Sequence, residues 1–423
     1  FNLAQVEIIN KYSPGRPVSH NYMGHFTEFD HREVSQDLEI TAWDSYPLGF
    51  LQNMQVIARE DKKLLQECYR IGDPDFQAYH HDLYRGMGRL WVMEQQPGPV
   101  NWAKYNPIPV KGAVRLWSWE AFAHDAEVVS FFRWRQAPYA QEQMHAGLMY
   151  RDNTPAPGQE EAKQVSEELK KIGIPDTDQS PIALVHDYEA CWMTELDGQT
   201  HDFHYTRLLL DFYKAVRMNG GSLDIVGKNV DFKGYKLVIV PSFVHFQEED
   251  LQRVIKSGAQ ILAGPRTGTK TTDFQLPPEL SLEGLGFQVR RVDALPRELP
   301  VPVEWNGIKG SFSVWREHGL TSGVNEGKSS DGAAVLTSGN QGSYLCGWPN
   351  QKLLNAIMKN QMQLAGLSVV ELPEYLRVRR RGNLLFFTNY GIQDVSIPEV
   401  YQGELLLGKR TLSQADISIL KVN

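Results

Sequence analysis

Over the first 150 residues, short β-branched or aromatic runs alternate with stretches of helical periodicity, a pattern that favours βαβ units over any all-α or all-β fold. Four strands are expected, at residues 16–23 (RPVSHNYM), 38–43 (LEITAW), 89–94 (RLWVME) and 128–134 (VVSFFRW). Each ends in polar or aromatic residues, among them His20, Asn21, Asp44, Tyr46, Glu94, Arg133 and Arg135. Strand ends of this kind are where a barrel collects its chemistry.

The remainder divides by pattern. Residues 1–12 (FNLAQVEIINKY) read as an amphipathic helix already in progress, so the natural chain is expected to extend upstream. A Pro-, Gly- and Glu-rich connector spans 154–180, with one helix ending at Gly173. Between 181 and 370 lies a second α/β region. Its continuous apolar strands (182–186, 223–226, 237–241, 260–263) suggest a buried parallel sheet, and an amphipathic helix at 204–218 carries Leu208, Leu209, Phe212, Tyr213 and Val216 on one face. Residues 371–423 turn into short alternating strands, a small antiparallel β domain.

Composition narrows the function. Acidic residues outnumber basic ones, 51 to 43, for a net charge of -8, which leaves no cationic surplus for nucleic acid or anionic lipid. No apolar run is long enough to span a membrane, and the expected location is cytoplasmic. Cys68, Cys191 and Cys346 are widely spaced and lack ligand partners at metal spacing, so they read as reduced, buried thiols, with no metal expected. GPRTGTK at 264–270 lacks phosphate-loop spacing, and the second region, although flavodoxin- or glutamine-amidotransferase-like in layout, has no cysteine on a strand-to-helix elbow. Docking or oligomerisation is its expected role.

The most informative stretch is residues 89–102, RLWVMEQQPGPVNW. Glu94 closes an apolar strand and Gln-Gln-Pro-Gly bends the chain away, which puts a carboxylate at a loop mouth. This block closely resembles the nucleophile motif of glycoside hydrolase family 42, the β-galactosidases of the retaining (β/α)8 superfamily. PVSHNYMG at 17–24, ITAWDSYPLGF at 40–50, VRLWSWEAFAHDAEVVSFFRWRQ at 114–136 and QEQMH at 141–145 resemble successive family blocks, in order. The resemblance implies the second half of a (β/α)8 barrel at 1–153, then the amidotransferase-like α/β domain, then the small β domain.

It also implies retaining hydrolysis of terminal β-D-galactosides by double displacement, which two carboxylates and water complete without a cofactor. Glu94 matches the nucleophile. Trp102 matches an aromatic wall for the C–H face of galactose, Glu142 and His145 a pair that hydrogen-bonds sugar hydroxyls, and Tyr46 and Phe132 pocket-lining aromatics. Read from the residues alone, each of the three aromatics also fits as a core residue, and Glu142 with His145 as a solvated pair on a short helical turn. His20, Asn21, Asp44, Arg133 and Arg135 are expected to support the site by hydrogen bonding. Glu120, in a helical stretch, is expected to face solvent.

One element of the pattern is missing. The family's acid/base glutamate follows an asparagine at the end of barrel strand four, whereas this chain's Asn325-Glu326 is expected in a Gly/Ser-rich loop far along the sequence. The chain is therefore expected to begin just after strand four and to be inactive, or nearly so, by itself. Two other readings stay open: an α-L-arabinopyranosidase of the same family, and a non-catalytic galactoside-binding or assembly subunit. A homo-oligomer, a trimer, is implied by the resemblance, with a galactoside as substrate.

Overall fold

The four apolar runs near the N-terminus become the strands β1 (Ser19–Met23), β2 (Ile40–Ser45), β3 (Arg89–Gln95) and β4 (Ala126–Phe131), paired in parallel in sequence order. The computed structural model describes residues 1–53, 62–277, 280–282 and 284–422. They fall into two units, residues 1–178 with 372–423, and residues 179–371.

In the first unit, α1 (Asn2–Tyr12) precedes β1, α2 (His31–Ser35), α3 (Pro47–Asn53), α4 (Lys62–Cys68), α5 (Phe76–Arg85) and α6 (Ala113–Ala123) occupy the crossovers, and α7 (Pro157–Leu169) follows β4. Pro157 at the start of α7 costs no hydrogen bond, because the first helical N–H has no partner in any case. The helix stops short of Gly173, the expected cap, at Leu169. The register of β2 against β3 slips by one residue: Trp43 pairs with Val92 but Asp44 with Glu94. Met93 is the extra residue, and such bulges re-aim the side chains that follow.

In the second unit, β5 (Ile182–Val185), β6 (Leu223–Val226), β7 (Leu237–Val240) and β8 (Gln260–Ala263) form a parallel sheet in the order β6-β5-β7-β8. Nearly every residue is buried, hence the unbroken apolar runs. Around it lie α8 (Tyr188–Leu196), α9 (Tyr205–Met218), α10 (Glu248–Lys256) and α11 (Gln351–Leu364). The sheet then continues through mainly antiparallel strands: β9 (Leu280–Ser281), β10 (Phe287–Ala294), β11 (Val301–Trp305), β12 (Ile308–Thr321), β13 (Val324–Ser329), β14 (Ala334–Ser338), β15 (Ser343–Leu345) and β16 (Gly347–Pro349). These were absent from the sequence expectation. Asn325-Glu326, expected in a loop, lies on β13 paired with β14; its polar, half-exposed residues hide the strand from a hydrophobicity pattern.

The C-terminal strands belong to the first unit. β17 (Leu376–Arg381), β18 (Leu384–Asn389), β20 (Glu404–Leu407) and β22 (Asp416–Lys421) make an antiparallel sheet in the order β17-β18-β22-β20, and β19 (Val395–Ser396) pairs with β21 (Thr411–Leu412). On β17, Arg377, Arg379 and Arg381 share one face, as alternation requires, and meet Asp75, Asp82 and Asp125 at 2.6, 3.4 and 2.9 Å. The expectation for Glu120 is overturned. Phe386, Ile417 and Ile419 of the C-terminal sheet cluster with Trp119 and Phe122 of α6, and every residue of that helix is buried. Glu120 is 2% exposed and accepts a hydrogen bond from Tyr390 Oη at 2.6 Å.

Candidate active site

Glu94 stands near the end of β3, and the two glutamines after it fix the turn. Gln95 Nε2 donates to Ser45 O at 3.3 Å. Gln96 N–H donates to the same carbonyl at 2.9 Å, while its side chain accepts from Leu48 N–H at 3.0 Å and donates to Gly98 O at 2.7 Å. Both side chains are wholly buried. The Gln-Gln pair thus ties the mouth of β3 to that of β2, and Tyr46, the residue after β2, donates its hydroxyl to Glu94 Oε2 at 2.5 Å. Burial and the adjoining Glu94 charge raise the Tyr46 phenol well above its ordinary value, so it remains a donor.

The aromatic residues gather around this pair. Trp102 meets Tyr46 edge-on at 5.5 Å between centroids and is 41% exposed, so it is not a core residue. A Cβ at Gly49 would come within 2.4 Å of its ring, so glycine there lets the indole lie against α3. His145 meets Tyr46 at 5.8 Å and Phe132 at 5.2 Å, both edge-on. Phe132 directly follows β4, and its N–H donates to Gln95 O at 3.2 Å.

Glu142 and His145 lie on a single turn closed by His145 N–H to Glu142 O at 3.0 Å. Two bonds attach that turn to the Trp102 loop, Ala146 N–H to Pro99 O at 2.9 Å and Asn101 Nδ2 to Gln141 O at 3.1 Å. His145 is 1% exposed, and burial lowers its pKa, which keeps the ring neutral. Nδ1 faces the Ala146 carbonyl at 3.1 Å and must donate, leaving Nε2 as an acceptor with no hydrogen-bond partner among the described residues. A neutral imidazole nitrogen of this kind accepts a hydroxyl proton.

Of the five residues expected in support, Arg133, Asn21 and Asp44 make hydrogen bonds beside Glu142 and Glu94. Arg133 donates to the Glu142 carboxylate and lies over the Phe132 ring at 4.7 Å. Asn21 Nδ2 donates to Asp44 Oδ1 at 3.2 Å, beside Glu94. His20 is exposed with its ring against Asn21 O, and Arg135 pairs with Asn153 at the surface. Phe50 packs beside Trp102 at 6.0 Å between centroids, and nothing in its sequence context distinguishes it from an ordinary helix residue.

Burial, and then the Glu94 charge, push the Asp44 carboxyl from 3.8 up to about 7, against the pull of the Asn21 hydrogen bond. Between those values the folded chain holds a proton that the unfolded chain releases. Stability contributed through this group therefore falls as pH rises through the window and is level above it. Asp44→Asn, which keeps an acceptor for Asn21, is expected to flatten that part of the stability profile, read as denaturation midpoints of the two proteins between pH 4 and 8.

Residues 1–172 match the family profile described as β-galactosidase, and residues 180–368 the profile of a β-galactosidase trimerisation domain. The chain belongs to glycoside hydrolase family 42. Within that family, β-galactosidase BgaA of a Thermus species is 44% identical over 426 residues, an alignment covering 99% of this chain and 65% of that protein. The β-galactosidase Bga of Halorubrum lacusprofundi is 35% identical, with 95% of this chain and 61% of that protein covered. Among solved structures, the β-galactosidase of the psychrophilic Marinomonas ef1 superposes with a TM-score of 0.94 at 41% identity, over 100% of this chain and 66% of that one. This chain thus spans just under two thirds of the length of these family members. Among the described residues, no helix is long and apolar enough to cross a membrane.

Proposed function

We propose that the chain carries the nucleophile side of a retaining β-galactosidase site. The observation that carries this reading is the Tyr46–Glu94 hydrogen bond at the mouth of adjoining parallel strands, set against Trp102 and beside the ring of His145, whose Nε2 has no partner among the described residues. In this reading Glu94 attacks the anomeric carbon. Tyr46 orients the attacking carboxylate, Trp102 stacks on the C–H face of the sugar, and Glu142 and His145 accept its hydroxyl protons, with Phe132 closing the pocket floor. The β1–β4 sheet is then the second half of a (β/α)8 barrel and 181–370 an amidotransferase-like domain that assembles trimers, with 154–180 as connector and 371–423 as a small β domain. The acid/base carboxylate is supplied by sequence this chain does not carry; Glu326, bonded to Ser338 Oγ on the second unit's sheet, is unsuited to it.

Incubation with 2-deoxy-2-fluoro-β-D-galactosyl fluoride tests the reading. A single adduct mapping by mass spectrometry to the peptide with Glu94 is expected; an adduct elsewhere, or none in a folded chain that binds galactose, sinks it. Trp102→Ala should weaken galactose binding in calorimetry by roughly fivefold to tenfold, the size of one lost aromatic contact.

A further inference from the structure

At the C-terminal ends of β5, β6 and β7, the second unit brings together four polar side chains that take no part in the galactoside site. Asp187 follows β5 and caps α8, accepting from Ala190 N–H at 2.8 Å, and Glu189 lies on the first turn of that helix. Lys228 follows β6, and His245 lies in the loop after β7. The strand order β6-β5-β7-β8 reverses its direction of growth between β5 and β7, the place where doubly wound sheets open a crevice beyond their strand ends.

Asp187 and His245 are 8% and 2% exposed, so one side of the cluster is shielded from solvent, and Glu189 and Lys228 form its open side. One ligand atom from each of Asp187, Glu189 and His245 lies within 4.8 Å of the others. His245 Nε2 is 3.2 Å from Glu189 Oε2 and 3.6 Å from Asp187 Oδ1. Bonds of about 2.1 Å around one ion set ligand atoms roughly 3.0 Å apart in an octahedron and roughly 3.4 Å in a tetrahedron, close to both separations.

A second observation shows that the cluster already holds a cation. Lys228 Nζ stands 2.8 Å from Glu189 Oε2, 3.3 Å from His245 Nε2 and 3.7 Å from Asp187 Oδ2. Nε2 of His245 is thus the ring atom turned into the cluster, facing the ammonium and both carboxylates at once. That orientation is what ligation needs. The lysine is also displaceable: its side chain is 28% exposed and that of Glu189 57%, and ion pairs open to water are weak.

We propose that Asp187, Glu189 and His245 form a divalent-cation site with one imidazole and two carboxylates, in which the Lys228 ammonium is the resident cation until a metal displaces it. The mixed nitrogen and oxygen set suits Zn²⁺, Co²⁺ or Mn²⁺ better than Ca²⁺ or Mg²⁺. Cysteine and histidine spacing along the sequence gives no sign of this site, because His245 comes from a different strand end than Asp187 and Glu189. The proposal is independent of the galactosidase reading.

The test is titration of the full chain with Co²⁺, by calorimetry and visible absorption. One ion per chain is expected. Glu189→Gln, at a half-exposed position that folding tolerates, should weaken binding at least about tenfold, as should His245→Gln, and Lys228→Met should strengthen it by a similar factor. The proposal is overturned by absence of stoichiometric binding to the unaltered chain, including the case where binding appears only after Lys228→Met. Binding undiminished in Glu189→Gln also overturns it, as does an intense near-ultraviolet band reporting thiolate ligation by Cys68, Cys191 or Cys346.

Discussion

Mixed with 2,4-dinitrophenyl β-D-galactoside, the chain should release one equivalent of dinitrophenolate in a burst and then turn over slowly. The leaving group needs no proton, so Glu94 can form the galactosyl-enzyme without an acid. Hydrolysis of that intermediate does need a base to activate water, and its lack should slow the second step by on the order of 10²–10⁴. Azide, a nucleophile that requires no base, should restore turnover and yield β-galactosyl azide. Glu94→Gln should abolish the burst, at least about a 10³-fold loss in the first step, because the attacking group itself is gone. Rapid hydrolysis of lactose by the unaltered chain, unaffected by azide, would place a complete acid and base within these residues and overturn the assignment.

The largest stability effect is expected at Asp75. Its carboxylate receives Arg377 Nε at 2.8 Å and Nη2 at 2.6 Å, and Arg377 Nη1 donates to Glu374 O and Leu376 O at 2.7 and 2.9 Å. The side chains are 2% and 1% exposed. Asp75→Ala leaves a guanidinium buried without its counter-charge and should cost about 3–5 kcal/mol, read from urea denaturation of the whole chain. Replacing both partners by apolar residues, Asp75→Leu with Arg377→Met, should recover most of that loss, since the desolvated charge disappears with its partner. A double variant no better than the single one would mean that the geometry of the pair, and not its charge balance, fixes this join.

These two experiments touch features of different legibility. Strand alternation and the turn chemistry of Gln-Gln-Pro-Gly are local, so the parallel strands, α9 and the place of Glu94 could be read from sequence. The grouping of Tyr46, Trp102, Phe132, Glu142 and His145 came through resemblance, and their spacing alone would have left each with an ordinary explanation. Residues whose environment is supplied by distant chain were misread or unread. Glu120 looks like a solvent-facing helix residue until Tyr390 and the C-terminal sheet cover it. The arginines of LRVRRR look like an exposed strand face until Asp75 and Asp82 meet them. The β13 hairpin lacks the apolar alternation that announces a strand, and its pairing with β14 decides it.

The first unit is built from the two ends of the chain, residues 1–178 and 372–423. On a ribosome making about 5–20 residues per second, the segment between takes roughly 10–40 s to emerge. Throughout that interval α6 waits without the strands that cover it, its Trp119 and Phe122 face open to whatever else is nearby. The uncovered helix is therefore expected to engage holding chaperones at a predictable stage of synthesis, and a permuted gene encoding residues 372–423 directly after residue 178 is expected to shorten the wait and raise soluble yield.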